Sequence, residues 1–283
     1  MLLTRIVDDY AWQLCEQGYA STVVSCRGHE AAQVGSAVCI EIGQDFTLPY
    51  YRDLGVVLTI GMTPYEVFRS HLNIQEHAIY EPAKQQLHWG FHKHNTVTGS
   101  APVATQILHA AGIAFASKLR KAPVITVAYC GDDAVLEPDF LEGVRFAAQH
   151  QLPVIFICEQ DCTGANTISC TRRIALPKGL SHHYIDGSDV VQVYETMQNA
   201  VQCIREGQGP ILLEMSVSRS TPAQPFEMIG SHDPLSHCQQ VLQEQGAWDE
   251  TWASQLHKRL LLEVEQAMRD ALRDAEQANE KGK

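Results

Sequence analysis

Three carboxylates stand where a chain of this kind could do chemistry. In Tyr129-Cys-Gly-Asp-Asp-Ala-Val-Leu-Glu-Pro-Asp-Phe140 an apolar run ends in Gly131, Asp132 and Asp133, and a helical pattern follows. A strand, a sharp turn and a helix start suit a phosphate, because free backbone N–H groups point outward there. Two adjacent aspartates repel a phosphate unless a divalent cation sits between them. A third carboxylate, Asp161, follows about 29 residues after Asp132, with one strand–helix–strand unit between. Neighbouring parallel strands place both carboxylates on one sheet edge, where hard oxygen ligands suit Mg²⁺ or Ca²⁺, and such an ion could hold a diphosphate. Strand ends also carry Asp as turn and cap residues, and on spacing alone that is the commoner case.

The elements that must position these residues alternate along the chain. Helices are expected over 2–17, 28–41, 64–72, 106–118, 137–150 and 189–206, and strands over 123–130, 153–158 and 210–215. Thr63-Pro64 reads as an N-cap followed by proline at the first helical position. Continuous apolar strands between helices predict an α/β fold: a parallel sheet flanked by helices on both faces, with ligands at the carboxyl ends of its strands. The stretch 73–105 has no periodicity and reads as a long irregular loop, a length that inside a domain marks function or an interface. The whole of 1–283 reads as one α/β domain with a helical C-terminal extension from about 236, its amphipathic helix spanning 247–278.

Composition removes other classes. With 283 residues and 45% hydrophobic content the chain can bury a sizeable core. A net charge of −12 argues against a nucleic-acid binder. Charges from the fifth residue onward argue against a signal peptide, and no window approaches ~18 uninterrupted apolar residues, so no membrane span is expected. Nine cysteines without a CxxC pair fit buried free thiols in a reducing cytoplasm. Cys158, Cys162 and Cys170 cluster, but at a spacing that matches no common zinc pattern.

Ordered segments across residues 5–275 carry a more specific signal. They include Ser25-Cys-Arg-Gly-His-Glu-Ala-Ala-Gln-Val-Gly35, Leu48-Pro-Tyr-Tyr-Arg-Asp-Leu-Gly55, Ser100-Ala-Pro-Val-Ala-Thr-Gln-Ile107 and Gly209-Pro-Ile-Leu-Leu-Glu214. With G-D-D at 131–133 and Q-D at 160–161, the chain resembles the α subunit of the decarboxylating component of 2-oxo acid dehydrogenases, of branched-chain or pyruvate type. The resemblance implies the thiamine-diphosphate-binding fold, with thiamine diphosphate and Mg²⁺ as cofactors. It also implies a β subunit in an α₂β₂ assembly and a lipoyl-bearing acyltransferase that takes the acyl group.

Residue roles follow from the same resemblance. Tyr51 and Arg52 fall where the family reaches the diphosphate, and a guanidinium fork suits that task. Ser100, Val103, Gly131 and Ala134 fall in the other cofactor-binding segments, with Arg219 the remaining match in the loop Ser218-Arg-Ser-Thr-Pro-Ala223. Metal ligands are implied at Asp132, at Asp161 in place of the family's asparagine, and at the backbone carbonyl of Thr163. His88, in Leu-His-Trp-Gly, matches an active-site histidine; without that match, a loop histidine packed beside Trp89 is an equal reading. Asp133 replaces a glycine, Pro138 replaces another, and a loop histidine pair is missing from 218–223. These departures leave a second expectation open, a non-catalytic paralogue that keeps the fold and the subunit-binding surface.

Overall fold

The computed structural model describes residues 1–20, 23–72, 89–90, 94–99, 102–163, 169–223 and 233–281. Five strands form one sheet: β1 (Phe46–Leu48), β2 (Thr126–Gly131), β3 (Val154–Asp161), β4 (Ser181–Asp186) and β5 (Ile211–Val217). Their order is β1-β2-β3-β5-β4, and every pair is parallel. Side chains alternate along a strand, so β3 sends Ile155 and Ile157 to one face and Phe156 and Cys158 to the other. All four are fully buried, which is why this strand reads as an unbroken apolar run rather than an alternating one.

Helices cover both faces. On the first, α2 (Glu30–Ala37), α3 (Leu54–Thr59) and α7 (Val190–Arg205) bring Ala32, Val56, Val193 and Met197 onto the sheet. On the second, α5 (Thr105–Leu119) and α6 (Pro138–His150) bring Ile107, Ala110, Phe140 and Val144. A third apolar cluster lies beside the sheet. Here α1 (Leu2–Glu16) and α4 (Pro64–His71) pack with Leu260, Val264 and Ala271 of the C-terminal helix α9 (Glu250–Lys281). A further helix, α8 (Pro234–Glu244), precedes it.

Local signals explain several of these starts. Thr63 and Glu66 form a reciprocal capping box at α4, with Pro64 at its first position. The Asp189 carboxylate accepts from the N–H groups of Val191 and Gln192 to open α7. Pro138 occupies the first turn of α6, where no N–H is needed.

The structure corrects the expected elements in five places. β1 and α3 are too short, at three and six residues, to show a period. β4 is an edge strand reading Ser-His-His-Tyr-Ile-Asp, and only Ile185 in it is buried, so it lacks the apolar run that marks its neighbours. The helix expected over 28–41 ends at Ala37, and the strand expected from 123 begins at Thr126. Most of the irregular stretch 73–105 lies outside the described residues.

Candidate functional site

Parallel pairing of β2 with β3 brings the acidic residues together. Gly131 registers against Glu159, so Asp132 and Asp161 leave neighbouring strands at the same carboxyl edge. Asp132 begins a single-turn 3₁₀ helix over Asp132–Leu136. Asp133 has no positive φ, so the aspartate sits there without backbone strain, and what it changes is charge. The edge opens into a pocket of about 320 Å³, whose lining includes Tyr51, Arg52, Val103, Gly131, Asp132 and Ala134. Asp133, Asp161, Thr163 and Arg219 complete its acidic and basic rim. Every described residue expected at the site from the sequence therefore lines one cavity. His88 and Ser100 lie outside the described residues, as do His92 and His232.

Each polar group is held by named contacts. Arg52 donates through Nη1 to the Ser25 carbonyl at 2.7 Å and lies 5.5 Å from the Tyr51 ring centroid. Trp89, fully buried, donates through Nε1 to the Tyr51 carbonyl at 3.0 Å and so pins the Tyr51–Arg52 turn. Asp161 Oδ1 accepts from the Thr163 N–H at 2.9 Å and from Thr163 Oγ1 at 2.5 Å. Its other oxygen faces Arg219 Nε at 3.6 Å. Burial pushes the Asp161 carboxyl up, but the Thr163 donors and Arg219 outweigh it and hold the group below its ordinary value. Asp132 shifts the other way. Burial, then the charges of Asp133 and Asp161, raise its carboxyl above the ordinary range.

The pocket's charge decides what fits it. Four carboxylates (Asp132, Asp133, Glu159, Asp161) face two guanidiniums, Arg52 and Arg219. A bare anion would meet net repulsion there, whereas an anion carrying a divalent cation would not. The oxygen donors of Asp132, Asp161 and the Thr163 carbonyl suit Mg²⁺, which keeps part of its shell for water and phosphate. Among the described residues no group of three or more His, Cys, Asp or Glu side chains could hold a metal ion alone. The donor set thus fits a metal–diphosphate pair better than either component.

Sequence reasoning missed the floor of this pocket. His29 and Glu159 are both almost fully buried and both line it, and His29 Nδ1 lies 2.6 Å from Glu159 Oε2. Tyr50 Oη and Gln33 Nε2 donate to the same oxygen at 2.8 and 3.2 Å. The available signal was Glu159 itself, a charge at the end of a fully apolar strand. Elsewhere all nine cysteines are free, and Cys158 and Cys170 bring their sulfurs to 3.5 Å in the core. No helix among the described residues is long and apolar enough to cross a membrane.

Comparison with known proteins gives the lineage. The model of the dehydrogenase E1 component matches residues 1–280. The α subunit of 2-oxoisovalerate dehydrogenase from Bacillus subtilis is 34% identical, over 98% of this chain and 89% of its own length. The 3-methyl-2-oxobutanoate dehydrogenase α subunit of Mycobacterium tuberculosis is 30% identical, over 97% and 77%. The pyruvate dehydrogenase E1 α subunit of Staphylococcus aureus is 27% identical, over 96% and 76%. Among solved structures, a Mycobacterium smegmatis enzyme provisionally described as thiamin diphosphate-dependent aligns with 68% of this chain and 32% of its own. Its 14% identity and TM-score of 0.43 carry no argument. An oxidoreductase lineage thus spans nearly the whole length of the chain: it belongs to the dehydrogenase E1 component family, alongside the α subunits of 2-oxo acid dehydrogenases.

Proposed function

We propose that this chain is the α subunit of a 2-oxo acid decarboxylating component, which with a β subunit binds thiamine diphosphate and Mg²⁺. In this reading the assembly is α₂β₂ and delivers the acyl group to the lipoyl domain of an acyltransferase. The observation that carries it is the convergence of Asp132, Asp161 and Thr163 with Arg52 and Arg219 on one pocket at the strand ends.

Asp132, Asp161 and the Thr163 carbonyl would hold the metal, and Arg52 with Arg219 would pair with phosphate oxygens. Gly131 and Ala134 would lie beside the diphosphate, and Val103 offers an exposed apolar surface at the pocket. The bound cofactor supplies the electron sink for loss of CO₂ from the 2-oxo acid. The chain's own task is to anchor and orient it, so the isolated chain is expected to be inactive.

A second reading keeps the fold and partner surface without turnover. The excess of carboxylates over guanidiniums at the pocket favours it. Reconstitution with a candidate β subunit and a lipoylated acceptor separates the two. Acyl-lipoyl product from a branched-chain 2-oxo acid or from pyruvate supports the first reading and names the substrate. A stable, cofactor-loaded complex that forms no product supports the second.

A further inference from the structure

The floor of the pocket holds two buried polar atoms that lack a partner among the described residues: Nε2 of His29 and Oε1 of Glu159. His29 is 2% exposed and Glu159 is 1% exposed. Unpartnered buried groups of this kind are costly and call for an explanation. The surrounding bonds supply most of it. Two donors, Tyr50 Oη and Gln33 Nε2, converge on Oε2 of Glu159, and His29 Nδ1 lies 2.6 Å from the same oxygen. That convergence fits an ionised carboxylate, so His29 directs its Nδ1–H at Glu159. The edge of the ring left without a bond is Nε2, in a residue that lines the pocket.

An anion arriving in this pocket meets four carboxylates, and a bare Nε2 would add a fifth acceptor. A ring that also carries a proton on Nε2 would instead donate to it, and Glu159 would balance the added positive charge. We propose that His29 is a further diphosphate-binding residue of this site, donating through Nε2 to a phosphate oxygen while Glu159 positions the ring. The inference rests on the reading of the pocket as a site for thiamine diphosphate and Mg²⁺. It gives the pocket a third donor beside Arg52 and Arg219, one that reaches the ligand from the buried side.

Two substitutions divide the ring's roles. His29→Asn places an amide near Nδ1 and keeps the bond to Glu159 while removing the Nε2 edge. His29→Gln places its amide near Nε2 and keeps a donor at that position. Titration calorimetry with Mg²⁺, using inorganic diphosphate and then thiamine diphosphate, should show His29→Asn binding both about tenfold more weakly. His29→Gln should stay within about threefold of the unmodified protein. A ring that only supports the fold gives the reverse order, and that result overturns the proposal.

Should neither variant fold, the histidine ¹⁵N spectrum of the unmodified protein decides. Adding magnesium diphosphate should convert one ring nitrogen from bare to protonated, and an unchanged spectrum at saturation overturns the proposal. If the unmodified protein binds neither ligand with Mg²⁺ even with the β subunit, the cofactor reading falls as well. Normal binding by the unmodified protein and both variants removes His29 alone.

Discussion

Charge at single positions governs the strength of this site. Asp133 is exposed on the pocket rim, whereas Asp161 is already engaged by Thr163 and Arg219. At an effective dielectric of ~20 two like charges about 6 Å apart repel by roughly 3 kcal/mol, and solvent screening of an exposed carboxylate lowers that. Asp133→Asn should therefore tighten magnesium–thiamine diphosphate binding by about tenfold, and Asp161→Asn by less, both read by calorimetry. A sub-micromolar affinity of the unmodified protein would show that the repulsion is already neutralised.

A second residue, Glu214, has its own pH signature. Burial alone would push its carboxyl up, but donors on His182, Thr171 and Ser169 outweigh that and hold it at about 2, against an ordinary 4.5. A depressed folded-state value means that the stability is present above about pH 4.5 and is lost as pH falls through about 2. The contribution is about 3 kcal/mol at neutral pH. Glu214→Gln should lower stability by about that amount at pH 7 and flatten the acid limb of the denaturation profile.

At the scale of elements, one buried arginine ties three helices through two ion pairs. Arg5 on α1 donates through Nε to Glu30 on α2 at 2.5 Å and through Nη2 to Asp233 at 2.8 Å. Asp233 is also the N-cap of α8, accepting from the Leu235 N–H. Arg5→Ala strands the fully buried Glu30 and should cost about 3–5 kcal/mol in urea denaturation, with α8 loosening first under limited proteolysis. None of this was legible beforehand, because a lone Arg in an amphipathic helix looks solvated.

What could be read was whatever depends on local pattern: the parallel sheet from its apolar runs, α4 from Thr63-Pro64, and Asp132 beside Asp161 from one strand–helix–strand spacing. β4 could not be read, since most of its side chains face solvent and it is defined by pairing with β5. His29 and Glu159 meet across 130 residues, and only the tertiary packing of α2 against the sheet edge brings them together.

At the scale of the molecule, the exposed side of α5 carries Leu108, Gly112 and Leu119 rather than charges throughout. Such a face is expected to be covered by other subunits, so the chain with its β subunit should scatter light as a species well above its own 31.4 kDa. A lone 31.4 kDa species in the mixture would count against the assembly.

The central claim is that the pocket at the ends of β2 and β3 takes a metal–diphosphate pair and neither partner alone. Calorimetric titration of thiamine diphosphate into the protein with its β subunit, with Mg²⁺ and then with a chelator, tests it most directly. The account predicts saturable binding with Mg²⁺, lost with the chelator and lost in Asp132→Ala. Binding that is equal with and without Mg²⁺, or no binding under either condition, would contradict it.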